Sequence, residues 1–209
     1  MAEARADETR AVRFCDELGF AFGWISPSPA QLERASHALG DEGRVWIVDA
    51  VDGEGVEERI RALGEPAGVV QLLDRHGRDC AELARRLGIP HYAPPYDRIP
   101  GAPFSVVPVV RRRLWREVAL WWPARAVLVC GDALGTAPYY RGPGERLAVH
   151  PLLRLTPPRR LAALAPRHVL VGHGEGVHGD EAAAAVRAAV ALSRRRLGRW
   201  LRTLVKQER

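Results

Sequence analysis

At 209 residues the chain is long enough for one domain with a sizeable core, and 47% hydrophobic and 27% charged residues are ordinary for a globular protein. The net charge of +6 hints at a polyanionic partner, but Lys206 is the only lysine and leaves 30 of the 31 basic residues as arginine. That skew, with abundant Ala and Gly, points to a G+C-rich bacterial coding bias rather than to selection for nucleic acid.

Cys15, Cys80 and Cys130 form no C-x-x-C pair and fit neither a disulfide framework nor a zinc ribbon. The N-terminus is charged without a signal-type apolar core, and no apolar run approaches the roughly 20 residues a membrane helix needs. A reduced, cytoplasmic protein that does not enter a membrane is expected.

Along the chain, residues 1–12 are expected to be a poorly ordered lead. Apolar runs predict strands at 20–25, 36–39 and 44–49, the last ending in Asp49. Asp49 either supports a site or caps a turn with Gly53. Helical spacing of Val56, Ile60 and Leu63 stops at Gly64 and Pro66. The run 67–73 is a buried strand, followed by the turn Asp74-Arg75-His76-Gly77-Arg78-Asp79-Cys80 and a helix that stops at Gly88 and Pro90. A strand-to-helix turn of this kind lies at the carboxyl edge of a sheet, where open α/β folds place their sites. A short strand at 91–93 and a Pro-rich loop at 94–103 come next. Strands at 105–110 and 114–122 are separated by Arg111, Arg112 and Arg113. A strand at 126–130 ends in Gly131-Asp132-Ala133-Leu134. The connection 135–151 folds over the site or lies on the surface, with Tyr139, Tyr140 and His150 read as surface residues. A short helix at 157–164, a strand at 167–171 ending in Gly172-His173-Gly174, and a closing helix over 180–205 complete one domain spanning 1–209. Cys80 and Cys130 read as core. The tryptophans at 115, 121 and 122 pack between sheet and helix or in a homodimer interface.

Three segments, in order and each at a strand end, resemble the metallo-β-lactamase superfamily: the D-x-H-x-R-D turn, Gly131-Asp132-Ala133-Leu134, and Val169-Leu170-Val171-Gly172-His173-Gly174. Ala119-Leu120-Trp121-Trp122-Pro123 resembles the stretch that precedes the second of these. The resemblance runs from about Phe20 to the final helix. It implies an α/β, four-layer αββα sandwich of two mixed sheets with helices outside, and a hydrolytic ancestry.

Carried over position by position, the resemblance implies that the H-x-H-x-D-H metal motif stands here as Asp74, His76, Arg78 and Asp79. The third metal-binding His falls at Arg113, or at Arg111 or Arg112 if the register slips. Asp132 and His173 are kept. Guanidinium cannot donate a lone pair to a metal. The leading reading is therefore a metal-free relative with no cofactor, a pseudoenzyme in which Arg78 and Arg113 pair with Asp74, Asp79 and Asp132, and in which the two arginines bind a small anion. The competing reading keeps one Zn, Fe or Mn ion on His76, Asp79, Asp132 and His173, with Asp79 and Asp132 as the catalytic carboxylates, for hydrolysis of an ester, thioester, lactone or phosphoester. A third reading uses the Arg-rich closing helix for a protein partner or nucleic acid. Nucleic acid is disfavoured because no aromatic platform interleaves those arginines.

Overall fold

The computed structural model describes residues 11–26 and 31–207, so most of the expected N-terminal lead lies outside the described residues. Alternating apolar strands assemble one antiparallel meander: β1 (Arg13–Cys15), β2 (Ala21–Ile25), β3 (Ala35–Asp41) and β4 (Arg44–Val48). The chain then crosses over through α1 (Val56–Leu63) to β5 (Glu65–Val70), and through α2 (Cys80–Leu87) to β6 (His91–Tyr92). Both new pairings are parallel, as strand–helix–strand crossovers require. The result is a six-stranded sheet in the order β1 to β6.

Both crossover helices follow from local chemistry. Val56 and Ile60, one turn apart, are the buried positions of α1, while Glu57, Glu58 and Arg61 complement its dipole. In α2, Gly88 closes the last turn at φ 68°, its N–H reaching Ala84 O and Arg85 O.

A second sheet has the order β13-β12-β9-β8-β7. It is built from β7 (Ser105–Arg112), β8 (Trp115–Trp122), β9 (Val127–Cys130), β12 (His168–Val171) and β13 (Val177–His178). Between β9 and β12 the chain makes a small hairpin, β10 (Leu134–Gly135) with β11 (Ala148–Val149). Helix α3 (Glu181–Gln207) closes it. Arg111 and Arg112 belong to β7 rather than to a connection, and only Arg113 and Leu114 form the turn. The short helix expected over 157–164 is a 3₁₀ segment at Arg159–Ala163.

Three apolar interfaces separate four layers. Leu39, Trp46, Val70 and Leu72 of the first sheet's side meet Leu120, Trp122, Val129 and Leu170 of the second. Val45, Ile47 and Val69 pack outward on Val56, Ile60 and Leu83 of α1 and α2. Ala119, Leu128 and Val169 pack outward on Val186 and Val190 of α3. This is the αββα sandwich expected from the sequence.

Candidate functional site

The parallel pairings decide where the site falls. β4 and β5 run together, as do β9 and β12, so the carboxyl ends of each pair share one edge. The two sheets are stitched at that edge: Ala35 N donates to Gly172 O, Arg34 bridges to His173, and Leu73 bridges to Glu117. Asp49, the turn 74–79, Asp132 and His173 each follow one of these strand ends.

Two imidazoles converge there on one carboxylate oxygen. His76 Nε2 lies 3.0 Å and His173 Nε2 3.2 Å from Asp132 Oδ1. Each ring is also held from behind: His76 Nδ1 donates to Asp49 Oδ2 at 2.7 Å, and His173 Nδ1 to Leu32 O at 2.8 Å. A carboxylate or carbonyl behind Nδ1 is the arrangement that aims Nε2 of a ligating histidine at a metal. The three ligand atoms lie within 4.8 Å of one another, and all three residues are buried. Two imidazoles and a carboxylate match the donor set of three-ligand catalytic sites, so these residues fit a single divalent ion.

Further groups finish the cavity wall. Tyr140 donates its hydroxyl to Asp132 Oδ1 at 3.3 Å and stacks on the His173 ring at 5.8 Å. Arg75 reaches Asp132 Oδ2 at 3.4 Å with its guanidinium 4.3 Å above the Trp115 ring. Burial alone would raise the Asp132 carboxyl, but hydrogen bonds from His173 and His76 hold it well below the usual range. Asp49 behaves alike: burial pushes it up, and the facing His76, its hydrogen bond and Arg78 pull it lower. For His76, burial and Arg78 oppose protonation, yet Asp49 and Asp132 raise its pKa. Glu117 is the reverse case. Burial, then the charge of Asp132, pushes its carboxyl up to about 8, although Ala133 N–H and Trp115 Nε1–H both donate to it.

Neither a family model nor a curated protein matches this sequence. Solved structures do. The DIM-1 metallo-β-lactamase exposed to ceftazidime is 15% identical over 90% of this chain and 100% of its own, with a TM-score of 0.55. A metallo-β-lactamase from Pontibacter korlensis is 12% identical over 87% and 99%, with a TM-score of 0.59. The chain has the metallo-β-lactamase fold. VMB-1, solved at pH 5.5, aligns with 98% of its own length at 10% identity and a TM-score of 0.53.

Within the metallo-β-lactamase fold, the expected site residues scatter. His76, Asp132 and His173 come together, and Arg78 lies beside them with Nη2 3.5 Å from His76 Nε2. Arg78 does not pair with the carboxylates as the sequence reading required. Its Nη1 donates to Ala35 O at 2.6 Å and Asp49 O at 2.9 Å, and its Nη2 to Gly172 O at 2.9 Å. The guanidinium therefore clamps the ends of three segments. Its position demands φ 39°, beside φ 49° at Asp49, both in the left-handed region that non-glycine residues seldom occupy.

Asp79 stands at the N-cap position of α2 without a side-chain capping bond, and its Oδ2 accepts from Asp52 N at 2.8 Å instead of joining the converging trio. Asp74 is exposed, exchanging hydrogen bonds with the Arg116 backbone. Arg113 is exposed at the β7–β8 turn and makes no ion pair with Asp74, Asp79 or Asp132 among the described residues.

Asp49, with both roles left open by the sequence, is the residue behind His76. The sequence reading assigned no role to Glu117 or Arg75. A lone carboxylate in the apolar strand Trp115–Trp122 was the available signal for Glu117. Tyr140 is 1% exposed, contrary to the surface position expected for it, because the 135–149 connection is pinned inward. Fully buried Arg154 does this, binding both Glu145 and Tyr140 O.

Proposed function

We propose that the chain is a one-metal relative of the metallo-β-lactamase-fold hydrolases, acting on an ester, thioester, lactone or phosphoester. The observation that carries this reading is that each imidazole has an acceptor at both nitrogens. With Nδ1–H already donated, Nε2 of a neutral ring presents a lone pair to Asp132 Oδ1, and two such contacts on one oxygen call for a cation between them. His76, Asp132 and His173 would hold the ion. When bound, it would supply Lewis-acid polarisation of a carbonyl or phosphoryl oxygen and a water of lowered pKa.

The remaining roles belong to the chain. Asp49 and Leu32 O hold the two rings in their ligating tautomers. Tyr140 covers His173 and donates to Asp132. Arg75, exposed enough to meet a substrate, presents a guanidinium to developing negative charge. Arg78 stands as a fixed cation where the resemblance places a ligand of the second metal, which supports one ion rather than two.

A specific observation also favours a metal-free reading: the fixed Arg78 guanidinium 3.5 Å from His76 Nε2 repels a cation placed there, while Asp49 and Asp132 raise the His76 pKa, so protons on the rings would supply the positive charge instead. Metal content by plasma mass spectrometry separates the two, on protein purified without chelator and again after incubation with Zn²⁺, Mn²⁺ and Fe²⁺. The proposal expects about one ion per chain, as a single three-ligand site holds, lost on His173→Ala. Near-zero stoichiometry throughout would overturn it in favour of the metal-free pocket.

A further inference from the structure

We propose that the cleft between the Pro94–Asp97 loop and the β7–β8 hairpin binds a small organic phosphate, at a place separate from the His76–Asp132–His173 trio. The cleft has a volume of about 490 Å³, within the roughly 300–1,000 Å³ of small-molecule sites. Arg111, Arg112, Arg113 and Arg116 line it, all exposed. Its acidic residues do not balance them. Asp97 is almost wholly exposed and 3.8 Å from Arg111, a solvated pair that contributes little. Glu117 is buried, with its carboxylate already accepting from Ala133 N and Trp115 Nε1.

The strand register supplies an independent observation. Arg111 and Arg116 are direct cross-strand partners, and like charges placed opposite one another destabilise a hairpin. Among the described residues Arg112 has only a hydroxyl, Thr156 Oγ1, as side-chain partner. Arg113 and Arg116 have no side-chain partner among the described residues. The hairpin thus concentrates cations around a concavity and leaves their repulsion, only partly offset by the solvated Asp97 pair, for a bound polyanion to relieve.

Guanidinium favours phosphate, whose oxygens accept two parallel N–H bonds. The other wall suits an organic body. Pro94, Pro108 and Val118 present apolar surface, and Tyr96 is fixed by its hydroxyl donating to Gln71 O at 3.0 Å. A phosphate group on the arginines with an apolar or aromatic moiety against Tyr96 and the prolines uses both halves of the cleft. None of these residues takes part in the proposed metal trio, so the two readings stand or fall separately.

The test is calorimetric titration of the full chain with AMP, inorganic pyrophosphate and citrate, with metal content and melting temperature measured in parallel. Wild type should bind AMP and pyrophosphate. Arg113→Gln/Arg116→Gln should weaken AMP by about tenfold or more, the worth of lost charge-assisted contacts, with unchanged metal content and melting temperature. Arg187→Gln/Arg195→Gln removes the same charge from the exposed face of α3 and should leave AMP binding unchanged. The proposal is overturned if neither AMP nor pyrophosphate binds, or if both double variants lose affinity equally. It is also overturned if citrate binds as well as AMP, or if a single-stranded oligonucleotide uses the same arginines far more tightly than AMP.

Discussion

Arg78→Met tests whether the guanidinium is a structural clamp. In the folded chain it satisfies the carbonyls of Ala35, Asp49 and Gly172, which end segments of both sheets. Methionine fills similar volume but donates nothing. Gly172 O keeps the Ala35 N–H and Asp49 O keeps the Ser36 hydroxyl, so the loss is that of the bonds themselves, about 0.5–1.5 kcal/mol each. Three bonds at about 1 kcal/mol each give a loss of about 3 kcal/mol. For a chain of this size that is a fall in melting temperature of about 6–12 °C. Arg78→Lys keeps the charge and one or two donors, so it should lose about half as much. Urea and thermal unfolding followed by tryptophan fluorescence would measure both. If Arg78→Met unfolds within about 0.5 kcal/mol of wild type, the clamp contributes nothing and the argument fails.

Other consequences concern the residues around the trio. Asp49→Asn leaves the shape but only one acceptor oxygen and no charge for Leu72 N and His76 Nδ1 together, so metal affinity measured by competition with a chromogenic chelator should fall about 10–100-fold; unchanged affinity would show that Asp49 does not set the ring. Gly172→Ala replaces no ligating residue, yet its Cβ would sit 2.9 Å from His76 Cε1 and 3.0 Å from Gly131 O. Metal binding should weaken by a similar factor, and a variant that binds as wild type would show that the ring has room to move.

For Glu117, whose carboxyl rises from 4.5 to about 8, the folded state keeps a proton that the unfolded chain releases across that window. Its contribution is full below pH 4.5 and is lost as pH rises through 8, with a slope of up to about 1.4 kcal/mol per pH unit. Measured in chelator, the stability of wild type should decline relative to Glu117→Gln across this window, and parallel curves would refute the assignment.

The sandwich was legible because its signals are local. β-rich apolar runs, glycine stops after Leu63 and Leu87, and charged turns at strand ends all reside within a few consecutive residues. Asp132 and His173 were legible for the same reason, each following a buried strand directly. Where the spacing argument failed, the partner was backbone. The sequence shows a guanidinium at position 78 near three carboxylates, and charge pairing is the natural inference. The left-handed turn at Arg78 instead points it at carbonyl oxygens whose placement depends on how β3 begins and how β4 and β12 end. No property of residue 78 encodes those carbonyls.

Arg113 failed for a related reason. Counting back from Ala119 leads out of β8 at Trp115, and the chain turns at Arg113 and Leu114 rather than holding residue 113 on the strand. The hairpin then carries Arg113 outward. Glu117, two residues before Ala119 on the same face of β8, is the group that occupies the buried ground near Asp132. A carboxylate held mostly protonated at neutral pH adds a hydrogen-bonding group without adding charge. It therefore leaves the double positive charge between His76, His173 and Asp132 to be supplied by protons or by one ion. Metal stoichiometry separates those two states, whatever substrate the site takes.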